Sequence, residues 1–283
     1  MKQTLRFLFF GDLVGAPGKA LFDKWANVLK EKHKADAILI NGENVAKNGR
    51  GIAPQDVDFF KEYGVSAITS GNHVWGQKKI YPTLDDEDSI LLRPANYPSG
   101  CPGRGYKIFN IGGFAVAVVS LMGRVFMRED LECPFRTIDS LLIFLKQRTK
   151  VVLVDFHAEA TSEKKLLGLH LDGKVSAVLG THTHVPTADE QILPRGTGYV
   201  TDIGFAGARN SAIGMTKESI LSRFLTQMPS IFKVDCRGEM IMNLICVDVD
   251  VASGHATKIE RIQVIDKDIE QTLENNNNET KKQ

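Results

Sequence analysis

Five places in the 283-residue chain set metal-binding or proton-transfer side chains at the end of a short apolar run. They are Gly11-Asp12, Asn41-Gly-Glu43-Asn44, Gly71-Asn72-His73, His157 and Gly180-Thr-His182-Thr-His184. Two carboxylates, side-chain amides and four imidazoles are too few for two separate closed structural sites. They are the right number for two adjacent divalent cations that share a bridging carboxylate or water. The glycines beside them let the backbone turn sharply and approach an ion or substrate closely. Taken singly, each has a plainer reading: Asp12 as a turn or helix cap, Asn41-Gly42 and Gly71-Asn72 as turns. The spacing of His182 and His184 predicts both imidazoles on one side of an extended segment, because alternate strand residues share a face. His33 and His170 fall in helical stretches and His255 in a hairpin loop. Solvation or packing explains those three.

The runs that carry these residues are Arg6–Phe10, Ala35–Ile40, Val65–Ser70, Val151–Phe156 and Val175–Leu179, with further runs at Phe114–Leu121 and Gly198–Thr201. They are continuous rather than alternating, which predicts strands buried on both faces. Helical patterns lie between them at Ala20–Lys32, Gln55–Tyr63 and Thr137–Gln147. Strands alternating with helices predict an α/β sheet, whose ligand crevice forms at the carboxyl ends of the strands. Residues distant in sequence therefore converge there. Glu239–Asp250 and Thr257–Ile265 alternate apolar with polar across Ala252-Ser-Gly-His255, predicting a hairpin with one wetter face. Pro94–Gly105 reads as a long surface loop or the edge of a small inserted cap. We expect one domain over 1–266 and a disordered polar tail over 267–283.

Composition narrows the function classes. Lys and Arg number 35 against 34 Asp and Glu, so no global basic excess favours a polyanion or an anionic membrane. The apolar stretch Leu8–Phe10 is far too short for a signal-peptide core or a membrane span, and a cytoplasmic location is expected. Cys101, Cys133, Cys236 and Cys246 form no Cys-x-x-Cys pair and read as reduced structural thiols.

The motifs in order resemble those of calcineurin-like metallophosphoesterases, and the fuller strings resemble the YmdB-like branch. These strings are Gly11-Asp-Leu-Val-Gly-Ala-Pro-Gly18, Asn41-Gly-Glu-Asn44, Gly71-Asn-His-Val-Trp75, Asp155-Phe-His-Ala-Glu-Ala160 and Gly180-Thr-His-Thr-His-Val-Pro-Thr-Ala-Asp189. With Thr201-Asp-Ile-Gly204, the resemblance runs from Phe9 to about Met215. The wider superfamily opens with Asp-x-His, where this chain has Asp12-Leu13-Val14, and it has Asp where this chain has Glu43. Both departures match the YmdB-like branch. Gly76, where that branch often has an acidic residue, and Phe205-Ala-Gly-Ala208, where it has Met-Thr-Gly-Pro, depart from it and bear on the rim.

The resemblance implies an α/β sandwich of two mixed β-sheets flanked by helices, with a small cap region. It implies one ion held by Asp12, Glu43 and His184 with Asn44 close by. Glu43 would bridge to a second ion held by Asn72, His157 and His182. His73 would protonate the leaving group, a role that suits imidazole. A metal-activated hydroxide would attack phosphorus in line. Oxygen and nitrogen ligands without thiolate suit iron or manganese, with magnesium or zinc as alternatives. The implied activity is a phosphodiesterase acting on small substrates such as 2',3'-cyclic or 3',5'-cyclic nucleotides, although the ligand set would also serve a monoesterase. A regulatory metal-binding protein is the competing class, and the proton donor argues against it. A nuclease acting on short RNA is a second, since Lys47, Arg50, Lys78 and Lys79 flank the motifs. The resemblance, and nothing else in the sequence, leaves room for a homo-oligomer. Trp75 and Tyr106 could stack a base or simply pack, and Arg124 and Arg128 could hold phosphate, with a solvated loop as the plainer reading.

Overall fold

Thr4–Leu13 forms a strand whose two faces are both covered, as its unbroken apolar run requires. The computed structural model describes residues 3–269, so most of the tail expected from 267 onward lies outside the described residues. Along the chain run β1 (Thr4–Leu13), α1 (Gly15–His33), β2 (Ala37–Asn41), α2 (Pro54–Glu62), β3 (Val65–Thr69), α3 (Tyr81–Asp85), β4 (Tyr106–Ile111), β5 (Phe114–Met122), α4 (Pro134–Leu145) and β6 (Val151–His157). There follow α5 (Thr161–Leu171), β7 (Ala177–Thr181), β8 (Gln191–Ile192), β9 (Gly198–Val200), β10 (Phe205–Ala208), α6 (Lys217–Thr226), β11 (Met240–Asp250) and β12 (Ala256–Asp266).

The strands make two mixed six-stranded sheets, in the orders β12-β11-β10-β1-β2-β3 and β4-β5-β6-β7-β9-β8. On β1, Leu5, Phe7 and Phe9 point into the layer between the sheets, against Val116, Val118, Leu153 and Leu179. Leu8 and Phe10 point the other way, onto Leu21 and Phe22 of α1 and Phe60 of α2. The period of two in strand side chains thus feeds two cores at once. On the second sheet, Val119, Val152 and Val154 pack beneath Ile138 and Leu142 of α4 and Leu167 and Leu171 of α5. The expected sandwich with flanking helices is the observed architecture.

The hairpin at the C-terminal end forms between β11 and β12. Its expected wetter face appears on β12 alone, because β11 is an interior strand paired with β1 and β10 as well. The polar residues alternating along β11 are buried with partners: Asn243 donates to the Phe205 carbonyl, and Asp248 receives the Arg6 guanidinium. All four cysteines are free. Among the described residues, no helix is long and apolar enough to cross a membrane.

Parallel pairing places the carboxyl ends of β1, β2 and β3 side by side in one sheet, and those of β6 and β7 in the other. Asp12 faces Asn41 in register, but a bulge between Phe10 and Asp12 leaves Gly11 as an extra residue. Such bulges re-aim a side chain at a strand end. A Cβ on Gly11 would stand 1.9 Å from the Gly204 carbonyl oxygen, so a glycine is needed for the two segments to meet.

Candidate metal centre

Asp12 and Glu43 are buried, and each is surrounded by imidazoles and amides supplied by the neighbouring strand ends. Three polar atoms converge on His157 Nε2: Glu43 Oε1 and His182 Nδ1 at 3.0 Å each and Asn72 Oδ1 at 3.3 Å from it. One ligand atom each from Glu43, His157 and His182 lies within 4.8 Å of the others. These residues belong to the group that the family resemblance assigns to the second ion. Beside it, His184 Nε2 is 3.2 Å from Asn44 Oδ1 and 3.9 Å from Asp12 Oδ1. The first-ion group is therefore assembled too, and all seven candidate ligands meet in one place.

The ring and amide orientations are set from behind. His184 Nδ1 donates to the Ile213 carbonyl, which leaves Nε2 with a lone pair facing Asn44 and Asp12. The Asn44 amide donates to the Gly49 carbonyl and so turns its Oδ1 toward His184. His157 Nδ1 meets the Thr181 hydroxyl, which donates to the Asp155 carboxylate. Asp155 is fully buried and also accepts from Asn41 and Thr69. Burial pushes its carboxyl up to about 6, against the opposing pull of His157. The relay from Asp155 through Thr181 fixes the tautomer in which His157 Nε2 points at Glu43.

Electrostatics in the pocket ask for a cation. Asp12 Oδ1 is buried with no hydrogen-bond partner among the described residues. Burial raises the Asp12 pKa while His184 and His157 oppose the rise, so the carboxylate is under-compensated. Burial also acts to raise Glu43, but the imidazole of His157 outweighs it and holds Glu43 below the usual range. Burial first, then His157, pulls His182 down to about 3, leaving a neutral imidazole with a free lone pair. Burial alone would lower the His157 pKa, but Glu43 and Asp12 carry it up to about 9, so its ring supplies positive charge where an ion would sit. An orphaned buried carboxylate oxygen, a second carboxylate and the neutral His182 make a donor set that fits divalent ions. A Cβ on Gly71 would stand 2.0 Å from the His157 ring and 2.3 Å from Glu43 Oε2, so only glycine allows this cradle.

His73 lines the cleft beside this group, and its backbone N–H donates to Glu43 Oε2. Its Nδ1 is 3.2 Å from the Asn72 amide nitrogen, which places a neutral ring's proton on Nε2. Burial lowers its pKa, with Glu43 opposing. A phosphate bound in the cleft would act in the opposite sense and favour the imidazolium.

One sequence expectation needs correction. His182 and His184 do not share a face of an extended segment, because β7 ends at Thr181 and both residues have left-handed φ, 101° and 64°. The chain turns there because Asp12 Oδ2 accepts the His182 N–H and Asp202 Oδ2 accepts the Thr183 N–H. The turn sends His182 to one group and His184 to the other. Asp202 is itself clamped by Lys164, whose Nζ also donates to the Thr181 carbonyl, and both side chains are 1% exposed.

Other residues also lie elsewhere than supposed. Trp75 packs edge-on against Tyr81 and Tyr97, and Tyr106 against Phe144, and none of these lines the cleft. Arg128 is exposed in a loop, as its plainer reading expects, and it also lines the cleft with Arg50 and Arg223. The apolar wall comes from Ile213, Met215, Ile220 and Phe232, whereas no residue of Pro94–Gly105 takes part. The sequence reading missed Asp155, Thr181, Lys164 and Asp202 as supports. Asp155 and Asp202 stand inside the motif strings; Lys164 gives no signal beyond being a lysine in a helix.

A family model described as "YmdB-like protein" matches residues 8–262. The chain is 43% identical to the 2',3'-cyclic-nucleotide 2'-phosphodiesterase of Bacillus subtilis strain 168, over 93% of this chain and 98% of that one. A hypothetical protein from Thermus thermophilus has a similar crystal structure, at 38% identity and a TM-score of 0.85, covering 93% of this chain and all (100%) of that one. A novel phosphatase from Mycoplasma pneumoniae superposes with a TM-score of 0.87 at 33% identity, over 95% and 96% of the two chains. With the motif series, the two-sheet fold and these likenesses in agreement, the chain belongs to the YmdB-like family of calcineurin-like metallophosphoesterases.

Proposed function

We propose that this protein is a dinuclear metal-dependent phosphodiesterase that hydrolyses cyclic nucleotides, 2',3'-cyclic forms first and 3',5'-cyclic forms second. The observation that carries the reading is the convergence of two donor groups on Asp12 and Glu43 with His73 beside them. Divalent ions bound there, iron or manganese by the chemistry of the donors, supply a hydroxide at neutral pH and neutralise charge on phosphoryl oxygens. Asp12, Asn44 and His184 would hold one ion, Asn72, His157 and His182 the other, and Glu43 both. As the imidazolium that a bound phosphate favours, His73 would give one proton to the departing ribose oxygen and return to the neutral ring. Ile213, Met215 and Phe232 offer ribose and base an apolar wall in a cleft of about 440 Å³, a size suited to a small ligand. The activity of the Bacillus subtilis relative supports the choice of substrate.

Assaying the manganese-loaded protein on 2',3'-cyclic AMP, bis(p-nitrophenyl) phosphate and p-nitrophenyl phosphate tests this. Both diesters should turn over faster than the monoester. Preference for the monoester, or no turnover with metal bound, would contradict the reading.

A further inference from the structure

The cleft presents more positive charge than a cyclic mononucleotide can use. Arg50, Arg128 and Arg223 line it from three separate parts of the chain, and Glu129 is the one carboxylate besides Glu43 among its described lining residues. None of the three guanidinium groups has a hydrogen bond or ion pair among the described residues; that of Arg223 lies 5.6 Å from the Phe232 ring centroid. Elsewhere in the described chain, Arg6, Arg209 and Arg237 are paired with carboxylates, whereas Arg136 and Arg261 are unpaired but stand singly on the surface rather than together in a cleft. The whole chain carries a net charge of only +1, so three arginines in one cleft are a local concentration of positive charge. The backbone at Arg50 packs against the His73–Gly76 turn, since a Cβ on Gly51 would stand 2.9 Å from the His73 carbonyl oxygen, which places this charge at the His73 edge of the cleft.

A 2',3'-cyclic mononucleotide has one phosphate, which the metal centre proposed above would take. We infer that the arginines form a subsite for a second phosphate, one that lies on the 5' side of the nucleotide being cleaved. The apolar wall of Ile213, Met215, Ile220 and Phe232 lies in the same cleft, where a nucleoside can occupy the space between the two anion sites. Guanidinium is the group suited to phosphate through paired N–H donors. The preferred substrate class is then a 5'-phosphorylated nucleoside 2',3'-cyclic phosphate, or a short RNA whose 3' end is a 2',3'-cyclic phosphate. Enzymes that cleave RNA by attack of the 2'-hydroxyl leave such ends, and a reaction of that class would supply this substrate. The inference rests on the phosphodiesterase reading above.

The test compares kcat/KM for 2',3'-cyclic AMP, its 5'-phosphorylated form, and the dinucleotide of adenosine ending in a 2',3'-cyclic phosphate. Manganese-loaded wild type, Arg128→Gln and Arg223→Gln are used. Wild type should favour the phosphate-bearing substrates by ~10-fold or more, the scale of one hydrogen bond to a charged group. The variants should lose most of that ratio. A gain with both phosphate-bearing substrates assigns the subsite to the phosphate itself, and a gain with the dinucleotide alone assigns it to an RNA chain. Equal kcat/KM for all three substrates, or an equal loss on all three in the variants, would overturn the subsite. Binding of adenosine 3',5'-bisphosphate against 3'-AMP separates this from hydrolysis. A ~10-fold tighter bisphosphate, abolished by Arg128→Gln, would keep the subsite even if turnover failed, whereas equal binding would remove it.

Discussion

Replacing His73 with alanine lowers kcat on 2',3'-cyclic AMP by about 10²–10⁴-fold, the range for loss of a positioned general acid. Metal content should stay at the wild-type level, because His73 touches the metal-binding groups only through its backbone N–H to Glu43 and its ring contact to Asn72. Its side chain is half-buried at the cleft surface, so truncation leaves little cavity and the melting temperature should hardly move. The loss should be smaller for bis(p-nitrophenyl) phosphate, whose nitrophenolate leaves without needing a proton. Metal analysis alongside kinetics on both substrates checks this. Equal loss on both, or loss of metal, would make His73 a structural or ligating residue instead of the proton donor.

The largest expected effect on stability comes from Lys164→Met. Lys164 and Asp202 are each 1% exposed, and the lysine bridges Asp202 Oδ2 and the Thr181 carbonyl. Removing the ammonium strands a buried carboxylate, which costs about 3–5 kcal/mol. At roughly 2–4 °C per kcal/mol for a chain of this size, Tm should fall by about 6–20 °C. Adding Asp202→Asn should recover part of the loss, because its single amide oxygen still accepts one of the two N–H groups that Asp202 holds, those of Thr183 and Gly204, without carrying charge. The same pair restrains the turn in which His182 and His184 hold left-handed φ, a conformation costing about 1–3 kcal/mol per residue. Metal affinity should therefore fall in Lys164→Met as well. A single variant as stable as wild type in denaturant titrations would show that the pair does not hold this turn.

Much of the centre is legible in the sequence because its ligands obey a positional rule. Asp12, Asn72, His157 and His182 stand at or just beyond strand ends, and the continuous apolar character of the strands announces sheets covered on both faces. The rule does not reach conformations imposed by distant partners. The spacing of His182 and His184 is that of a strand, yet hydrogen bonds from the His182 and Thr183 N–H groups to Asp12 and Asp202, 170 and 19 residues away, fold the segment into a turn. The alternation along β11 suggests a wet face for a similar reason. Position within the sheet decides burial, and Asn243 and Asp248 find partners inside. Arg128 and Arg223 join the cleft through folding of a loop and of α6, neither of which carries a periodic signal that points there. Lys164 is indistinguishable from a surface lysine until Asp202 is placed beside it.

The most direct test of the central claim is to strip the protein of metal with a chelator. Manganese is then returned while turnover of 2',3'-cyclic AMP is followed. Turnover should vanish on stripping and return in proportion to metal, with a break at two ions per chain, as expected for a pair of ions sharing Glu43. Turnover that survives complete removal of metal, or that is fully restored by one ion per chain, would contradict a dinuclear phosphodiesterase.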